Sequence, residues 1–585
     1  MAYPRTGRAL IAVLAASMLV ATACAGNTPT ASNAPSGSAA ASAAGTDKPQ
    51  DGGRIISGSI SDIATMQPVL VNDTASGEVT SLLYATLIDV DAKTGEPKPG
   101  MATFSAAADG LSYSFEIGAN VNWSDGKPVI AQDVLTGIMA TAKSAKTVRK
   151  SSYTTIKGFQ DFVDGKADSI TGVAIDSANP KKLTVTLTSV TCPALLNIAN
   201  TYRILPTQVF GKYVQKANKP EDIDNAPENV NPTVSSGPFL FQEWRKGDQV
   251  ILKKNPTYFR GAPHVDQYVF KVVANTTALT NGLKTGEITY STIAAKDLAD
   301  MQTVDTVKIQ KYPQLGYTFI GWDTQSTNDG AALSDKRVRQ ALAYGVDMDA
   351  VIKAVVFGEA VAHVAHHVPV QWSYPTDTSS LNPYKYDKAK AQQLLTDAGW
   401  VKGADGILAK DGKKFTMTIS TNSGNTERET LAQVAADQYK QLGIDAKAAP
   451  EAFQGLVTKL TTGDKTLDAT IIGWSLGTEP DPYSIWHSSQ IPDPAKNVTG
   501  FGFTYFKDAD MDKAIEQART PSNGDCSTAA RKKNYDTFNK ILNEQQPYNF
   551  GYVPNTLAAA QKTLQGWNPA PFSTLYNVQD WWVKQ

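Results

Sequence analysis

The chain has 585 residues, more than one hydrophobic core usually organises, so two or three domains are expected. Lys and Arg total 55 while Asp and Glu total 56, a balance that argues against a nucleic-acid-binding protein and against a long acidic tail. Hydrophobic residues make up 42% of the chain, the share of an ordinary globular protein.

The first 23 residues have the pattern of an export signal. Arg5 and Arg8 precede an apolar run over residues 9–21, which is too short to cross a bilayer comfortably and ends in small residues. The tetrapeptide ATAC that ends at Cys24 resembles a bacterial lipobox, in which the cysteine becomes the lipidated first residue of the mature chain. The alternative is ordinary signal cleavage beside an incidental cysteine. We favour lipidation, which predicts a protein anchored to the outer face of the cell membrane.

Residues 24–53 are predicted to be a disordered tether. After Cys24 the segment has no aromatic and no large aliphatic residue, and it is rich in Ser, Ala, Gly and Pro. Such a composition buries too little apolar area to offset the entropy of ordering.

Three cysteines occur in the chain. With Cys24 lipidated, Cys192 and Cys526 remain, and two cysteines of an exported protein can pair. The alternative is two separate buried thiols. We favour the disulfide, which would close a long loop of the chain.

From Arg54 onward, predicted strands and helices alternate along the chain. Period-two patterns predict strands, notably in LSYSFEIG, KLTVTLTS, QVILKKN, KFTMTIST and LDATIIGW. Apolar residues at helical spacing predict helices, notably in VLTGIMATAK, SDKRVRQALAYGVDMDAVIKAVVFG, YDKAKAQQLLTDAGW and ERETLAQVAADQYKQLGI. The alternation indicates an α/β protein with mixed sheets.

The stretch GWSLG, residues 473–477, has the G-x-S-x-G spacing that can place a hydrolase serine on a strand-to-helix turn. That turn needs a helix directly after Ser475, but Pro480 and Pro482 break one, and His487 is the one histidine downstream. We therefore favour a strand whose end faces a cleft. The indole of Trp474 would then form an apolar wall with one hydrogen-bond donor.

The stretch YSFEIGANVNWSDGKPVIAQDV, residues 113–134, resembles the signature of family 5 of the extracytoplasmic solute-binding proteins. These are the dipeptide- and oligopeptide-binding lipoproteins of ABC importers. Further blocks agree in the family's order, among them SSGPFLFQEWRKGDQVILKKNPTYFRGAPHVDQYVF, SDKRVRQALAYGVDMDAVIKAVVFGEAV, GWSLGTEPDPYSIWHS and PYNFGYVPNTLAAAQKTLQGWNPAPF. The resemblance implies an α/β, two-lobed periplasmic-binding-protein-like fold (type II, cluster C) with mixed sheets and an extra subdomain.

The same resemblance implies a discontinuous first lobe, and domain-size reasoning places its boundaries. We expect a signal peptide over 1–23, the tether over 24–53 and the body of the protein after them. The expected parts of that body are lobe I at 54–99, 226–324 and 546–585, its extra subdomain at 100–225, and lobe II at 325–545. The hinge strands are expected near FIGWDTQ and QQPYNFGYVPN.

The resemblance also implies a ligand site in the cleft. In peptide-binding members an Asp three residues after the counterpart of Trp474 holds the α-amino group of the ligand, and here that position is Gly477. Either Glu479 or Asp481 replaces it, or the ligand has no free amine; Asp481 is equally well a helix cap. The candidate ligand-binding residues are Trp474, Ser475, Glu479, Asp481, Tyr317, Trp322, Asn422 and Trp486. For the aromatic members the alternative is packing within a lobe.

His363, His366 and His367 form the one histidine cluster of the chain. Some members of the resembled family scavenge nickel, but metal ligands need support from secondary structure or a second layer of partners, and the flanking prolines indicate an extended loop. We favour a solvated or cleft-lining loop over a metal site.

The sequence therefore predicts a non-enzymatic substrate-binding lipoprotein of an ABC importer, which captures peptides or peptide-like solutes. We expect a monomer that needs no cofactor and works with permease and ATPase subunits. The alternatives are a receptor for another solute, such as a metal chelate, an oligosaccharide or a signalling peptide, and, less favoured, an exported hydrolase.

Overall fold

The structure is a computed structural model and describes residues 48–496 and 498–585. The strands of the first half are β1 (Arg54–Ser59), β2 (Ile88–Val90), β3 (Pro97–Pro99), β4 (Ala102–Ala106), β5 (Ser112–Ile117), β6 (Val173–Ile175), β7 (Lys182–Thr186), β8 (Phe239–Arg245), β9 (Gln249–Lys254), β10 (Gln267–Val272), β11 (Tyr290–Thr292) and β12 (Val307–Pro313). Those of the second half are β13 (Gly316–Trp322), β14 (Ala360–Ala362), β15 (Val401–Lys402), β16 (Leu408–Lys410), β17 (Lys413–Lys414), β18 (Thr416–Asn422), β19 (Asp445–Glu451), β20 (Ala469–Ser475), β21 (Tyr548–Gln561), β22 (Leu564–Gln565) and β23 (Trp582–Val583).

Helices alternate with these strands, as the sequence predicts. They are α1 (Thr74–Leu83), α2 (Ala131–Lys143), α3 (Phe159–Val163), α4 (Ala194–Ala199), α5 (Thr207–Phe210), α6 (Pro220–Asp224), α7 (Thr276–Thr285), α8 (Leu298–Met301), α9 (Gly330–Leu333), α10 (Lys336–Tyr344), α11 (Met348–Ala354), α12 (Lys388–Asp397), α13 (Thr426–Leu442), α14 (Phe453–Thr462), α15 (Tyr483–Trp486), α16 (Ala509–Arg519) and α17 (Thr528–Gln545). Several begin at a side-chain cap, such as Asn425 Oδ1, which accepts from the backbone N–H of Arg428 at 3.0 Å.

The largest sheet is mixed and runs through both halves of the chain. Its order is β19-β18-β20-β13-β21-β11-β1-β10-β9-β8, and β12 and β14 also pair with β21. The long strand β21 pairs with β11 and β12 through its second part and with β13 and β14 through its first part. One strand therefore belongs to both halves of the sheet.

A smaller antiparallel sheet, ordered β4-β5-β7-β6, lies within the segment predicted to form the extra subdomain. The strand LSYSFEIG of the sequence analysis is β5, which pairs with β4 on one side and β7 on the other. Its inward residues Phe115 and Ile117 are buried, so the period-two pattern marks the face that packs against the core.

The described residues form three clusters of buried side chains. The first, around Val79 and Phe270, lies under β1, β9 and β10, whereas the second, around Leu342 and Tyr439, lies under α10 and α13. The third, around Phe319 and Phe538, lies on the other side of β13 and β20. Because the second and third clusters cover both faces of these two strands, all of β13 and the first four residues of β20 are buried.

This arrangement corrects one predicted site residue. Tyr317 and Phe319 point into the third cluster, and since side chains alternate along a strand, Ile320 and Trp322 point into the second. Trp322 is fully buried there, so its indole is part of the core and does not line a cleft.

Cys192 and Cys526 are joined by a disulfide across 334 residues of sequence. Cys192 precedes α4, which packs in the first cluster, and Cys526 precedes α17, which packs in the third. The bond therefore ties together two parts of the molecule with separate cores.

The signal peptide, Cys24 and most of the tether fall outside the described residues. The last residues of the tether differ from the prediction, because Gly52 donates its N–H to the carbonyl of His264 at 2.8 Å and Asp51 Oδ1 lies 2.7 Å from His264 Nδ1. Backbone and side-chain hydrogen bonds hold this short segment although it buries little apolar area. In the part of the chain that the structure describes, no helix has the length and apolar character to cross a membrane.

Candidate functional site

The candidate site is built around the end of β20. This strand pairs with β13 along its whole length, from Ala469 to Ser475, but with β18 only as far as Ile471. The hydroxyl of Thr421 on β18 donates to the carbonyl of Ile471 at 2.9 Å and marks the end of that pairing. Among the described residues, no strand pairs with residues 472–475 on the β18 side. We call this stretch the open edge of β20.

Trp474 covers one face of the open edge, while Ser475 is exposed at its end. The indole is half-buried and stacks on Phe319 with ring centres 6.0 Å apart and planes at 14°. Phe501 meets the same indole edge-on at 5.3 Å. Arg149, from a distant part of the chain, lies over the Phe501 ring at 5.2 Å. Trp474 therefore lies next to unpaired backbone, and its role as a wall of the ligand site stays a prediction.

Glu479 and Asp481 lie in the loop after β20, and both are held by arginines. Arg531 donates to Glu479 Oε1, and Arg519 Nη1 lies 3.2 Å from Asp481 Oδ2. About nine-tenths of each of these four side chains is buried, with 5–11% exposed. Burial raises the pKa of Glu479, and the Arg531 guanidinium opposes that rise. Neither carboxylate is free to hold a ligand amine in this conformation.

Asp481 also caps the turn that follows it. Its Oδ1 accepts from the backbone N–H of Tyr483 at 3.1 Å, where α15 begins. This is the capping role that the sequence analysis left open for Asp481 beside amine binding.

Sequence reasoning missed Arg428, which lies beside the open edge. Arg428 is in the first turn of α13, and its Nη1 donates to Asn422 Oδ1 at 2.9 Å. A methyl group at Gly473 would lie 2.5 Å from Nη2 of Arg428, so the guanidinium approaches the strand where a side chain is absent. The flanking glutamates in the sequence TERE hide this residue, because they suggest local ion pairs.

Both glutamates form their hydrogen bonds elsewhere, although the charge of Glu427 still acts on Arg428. Glu427 accepts from the backbone N–H of Ala295, and Glu429 accepts from that of Gly424, both at 2.8 Å. Asn422 is buried and serves as the hydrogen-bond acceptor for Arg428, so it supports the site from below the surface.

Tyr317 and Trp486 contact the histidine cluster instead of a cleft. Both are buried, and their hydroxyl and indole N–H each lie 3.1 Å from Nδ1 of His366. They belong to the third core cluster, because that cluster continues under the loop after β20. The prediction that they line the ligand site is corrected accordingly.

The three histidines are buried, which corrects the predicted solvated or cleft-lining loop. Their exposed fractions are 5% for His363, 2% for His366 and 0% for His367. Burial lowers the pKa of His363 and of His367 to about 3 and that of His366 well below its ordinary value. Within residues 48–496 and 498–585, no group of three His, Cys, Asp or Glu side chains is placed to hold a metal ion.

The structure places His487 away from Ser475. Its Nδ1 lies 2.8 Å from Ser489 Oγ and accepts from the Ser489 backbone N–H at 3.2 Å, and its Nε2 lies 3.1 Å from Glu516. These contacts cap the short helical turn at 488–490. Ser475 therefore has no histidine beside it among the described residues, in agreement with our preference for a strand end.

Segments predicted to belong to different lobes contact each other. Gln454, at the start of α14, donates to the carbonyl of Asp62 at 2.9 Å. Thr499 donates to the carbonyl of Thr147 at 2.8 Å. These contacts, with the disulfide, hold the two sides against each other.

The family model for bacterial extracellular solute-binding proteins, family 5 Middle, matches residues 96–493. The chain belongs to this family. The oligopeptide-binding protein AppA of Bacillus subtilis is 31% identical over 582 residues, which cover 99% of both chains. The family 5 assignment confirms the resemblance stated from the sequence.

Solved structures of family 5 proteins show the same fold. AppA from Bacillus subtilis in complex with a nonapeptide has a TM-score of 0.82 and 30% identity, covering 92% of this chain and 100% of that chain. NikZ from Campylobacter jejuni in complex with Ni(L-His) has a TM-score of 0.76 and 23% identity, covering 90% and 99%. The second likeness shows the fold alone. The prediction of a two-lobed α/β fold is confirmed.

Proposed function

We propose that this chain is the substrate-binding component of an ABC importer and that it captures peptides at the open edge of β20. The main support is the unpaired backbone of residues 472–475, which lies beside the half-buried Trp474. An extended peptide can add to such an edge as a further strand, and main-chain hydrogen bonds then supply affinity with little dependence on sequence. The nonapeptide complex of the AppA relative supports this choice of ligand.

The lobes of the proposed receptor are 54–99, 226–324 and 546–585 with the subdomain 100–225 on one side, and 325–545 on the other. β21 passes through both halves of the large sheet, which suits a hinge strand. Closure about this hinge buries the ligand and forms a surface for the permease, which works with ATPase subunits. No chemical step is part of this function, and the receptor acts as a monomer.

The proposed receptor is held outside the cytoplasm by lipid on Cys24. Two or more acyl chains anchor a protein stably, at about 0.8 kcal/mol per buried methylene. A Cys24→Ala variant is expected to appear in the soluble extracytoplasmic fraction, while the native chain stays with the membrane. Equal partitioning of both would contradict the anchor and leave peptide binding untouched.

Strand addition is tested with backbone-methylated peptides. The soluble body from Asp51 onward is screened by thermal shift against di- to nonapeptides, with Ni(II) chelates and oligosaccharides as controls. The best binder is then methylated at one backbone nitrogen at a time, and each Kd is measured by calorimetry. We expect methylation at alternate positions to weaken binding at least tenfold and alanine replacement of side chains to weaken it less. A shift with a chelate or sugar and none with peptides would overturn the proposal.

A further inference from the structure

The arginines around the end of β20 fall into two groups. Arg519 and Arg531 each hold a carboxylate, Asp481 and Glu479 respectively. Arg428 holds an amide oxygen of Asn422 at 2.9 Å, and no carboxylate of the described residues forms an ion pair with it. The charge of Glu427, its neighbour in sequence, acts on Arg428, but the Glu427 carboxylate accepts from Ala295 and forms no direct ion pair with the guanidinium.

Arg428 combines partial burial with a single side-chain hydrogen bond among the described residues. The side chain of Arg428 is half-buried, and burial lowers its pKa. A charge removed from water is usually paired or fully hydrogen-bonded, and Arg presents five donors in a fixed fork. Asn422 accepts from Nη1, and the other N–H donors of the guanidinium have no hydrogen-bond partner among the described residues. The unused donors are those nearest Gly473, since Nη2 is the atom that a methyl group there would touch.

Arg428 lies where β18 ends, and this position determines which part of an added peptide it would contact. β18 ends at Asn422, and the open edge of β20 begins one residue after its pairing with β18 stops. A peptide added to this edge occupies the line that β18 vacates, so one end of its strand points at Asn422 and Arg428. A carboxylate there receives a forked pair of hydrogen bonds from the guanidinium.

A second guanidinium lies on the Trp474 side. Arg149 donates to the carbonyl of Val71 at 3.3 Å and covers Phe501, and within the described part of the chain it too has no carboxylate partner. Burial lowers its pKa to about 10. A second positive charge therefore lies behind Phe501, which contacts Trp474.

At the other end of the open edge, no unpaired carboxylate of the described residues is placed to bind a ligand amine. Gly477 has no side chain, and the two carboxylates that follow it are buried against Arg531 and Arg519. A ligand ammonium at this end would face two bound carboxylates and two arginines, which gives it no net attraction.

We propose that the site selects ligands by a carboxylate bound at Arg428 and places no requirement on a free α-amino group. This rests on the proposed peptide-binding function and deepens it. The substrate class is acidic or amino-blocked peptides with a carboxylate at the Arg428 end. That carboxylate comes from either of two sources, the peptide C-terminus or an Asp or Glu side chain, and the experiment separates them.

The test uses the best-binding peptide of the screen in four forms: unmodified, N-acetylated, C-amidated, and with every Asp and Glu replaced by Asn and Gln. Calorimetry gives Kd for each form with the native protein. We expect N-acetylation to change Kd by less than about threefold. Either amidation or the Asn/Gln replacement is expected to weaken binding by about tenfold to a hundredfold, and whichever does so identifies the source of the carboxylate.

The same titrations are repeated with Arg428→Gln and with the control Arg245→Gln, an exposed arginine on β8 that pairs with Glu243. In Arg428→Gln, binding of the sensitive form should fall to the level of its neutralised counterpart, so that the two forms no longer differ. Arg245→Gln should behave as the native protein. Arg428→Lys keeps the charge but not the fork, and it should recover part of the affinity. An unchanged melting temperature shows that each variant is folded.

Two results would contradict the role of Arg428 but would still be consistent with peptide binding. One is a peptide whose binding is abolished by N-acetylation, and the other is equal binding of the carboxylate and neutralised forms by the native protein. If no peptide in any form binds, the proposed function itself has failed.

Discussion

The two sides of the loop after β20 use the same side chain in opposite ways. On one side, Arg519 and Arg531 are nine-tenths buried and neutralised by Asp481 and Glu479. On the other, Arg428 is half-buried and faces unpaired backbone with an amide as its side-chain partner. The first arrangement is complete without a ligand, whereas the second is not. A carboxylate predicted to bind ligand can thus be held in a structural ion pair, while the charge that we propose for ligand binding lies on a residue without a recognisable sequence pattern.

The largest expected loss of stability comes from breaking the ion pair between Glu479 and Arg531. Replacing Glu479 by Leu leaves Arg531 buried without its counter-ion, and removal of one partner of a buried pair costs about 3–5 kcal/mol. Chemical denaturation followed by tryptophan fluorescence measures the loss in unfolding free energy. The double variant Glu479→Leu with Arg531→Met is the matched control, and it should recover most of that loss. A single variant as stable as the native chain would show that the pair is not structural.

The disulfide offers the next effect. Replacing both Cys192 and Cys526 by Ser should lower the unfolding free energy by about 2–5 kcal/mol, since a long loop is no longer closed in the unfolded chain. The bond also joins segments predicted to lie in different lobes, so its loss should increase lobe separation without ligand. Small-angle scattering of the ligand-free protein measures that change as a larger radius of gyration. An unchanged radius would place the bond within one rigid body.

The buried histidines predict acid sensitivity. The pKa of His363 and of His367 is lowered to about 3 in the folded protein, whereas an unfolded histidine has a pKa of about 6.5. The unfolded chain therefore binds more protons between these values, and stability falls as the pH decreases from 6.5 toward 3. Each histidine contributes a slope of at most about 1.4 kcal/mol per pH unit.

His363→Phe removes one of these groups, so unfolding free energy measured from pH 7 to pH 4.5 should fall less steeply than in the native chain. Tyr374→Phe is the control, because it alters a ring stacked on His363 without removing an imidazole. Equal slopes for His363→Phe and the native chain would contradict the burial of a neutral histidine.

The smallest expected change in stability comes from substituting Arg428, which has no ion pair to lose. Arg428→Gln should change the unfolding free energy of the ligand-free protein by less than about 1 kcal/mol, because no ion pair is lost and the amide of Gln can still reach Asn422. The same denaturation experiment as for Glu479→Leu measures it. A loss as large as that of Glu479→Leu would make Arg428 a structural residue.

Much of this molecule was predictable from local patterns. The colinear sequence blocks predicted the family and the two-lobed fold, and the strand LDATIIGW with its break at Pro480 predicted that Ser475 ends a strand and does not enter a helix. These predictions depend on residues close together in sequence, where periodicity and proline chemistry decide the structure.

What the sequence could not show depends on distant partners. Arg519 and Arg531 lie about forty and fifty residues after the carboxylates that they neutralise, and nothing local links them. The prediction that Trp322 lines a cleft is wrong because both faces of β13 are buried, and the alternation of side chains then does not show which face a ligand meets. The flanking prolines predict a solvated or cleft-lining loop for the histidines because they do not reveal the aromatic core that buries them.

Hydrogen–deuterium exchange of residues 472–475, with and without the best-binding peptide, shows whether the ligand adds to the open edge of β20. A strand added to the open edge of β20 pairs with backbone N–H groups that have no strand partner on that side in the free protein. We predict slower exchange in this segment when peptide is present and unchanged exchange in the fully paired residues 469–471. Binding of the peptide with no added protection at 472–475 would contradict the claim that the open edge of β20 is where this protein holds its ligand.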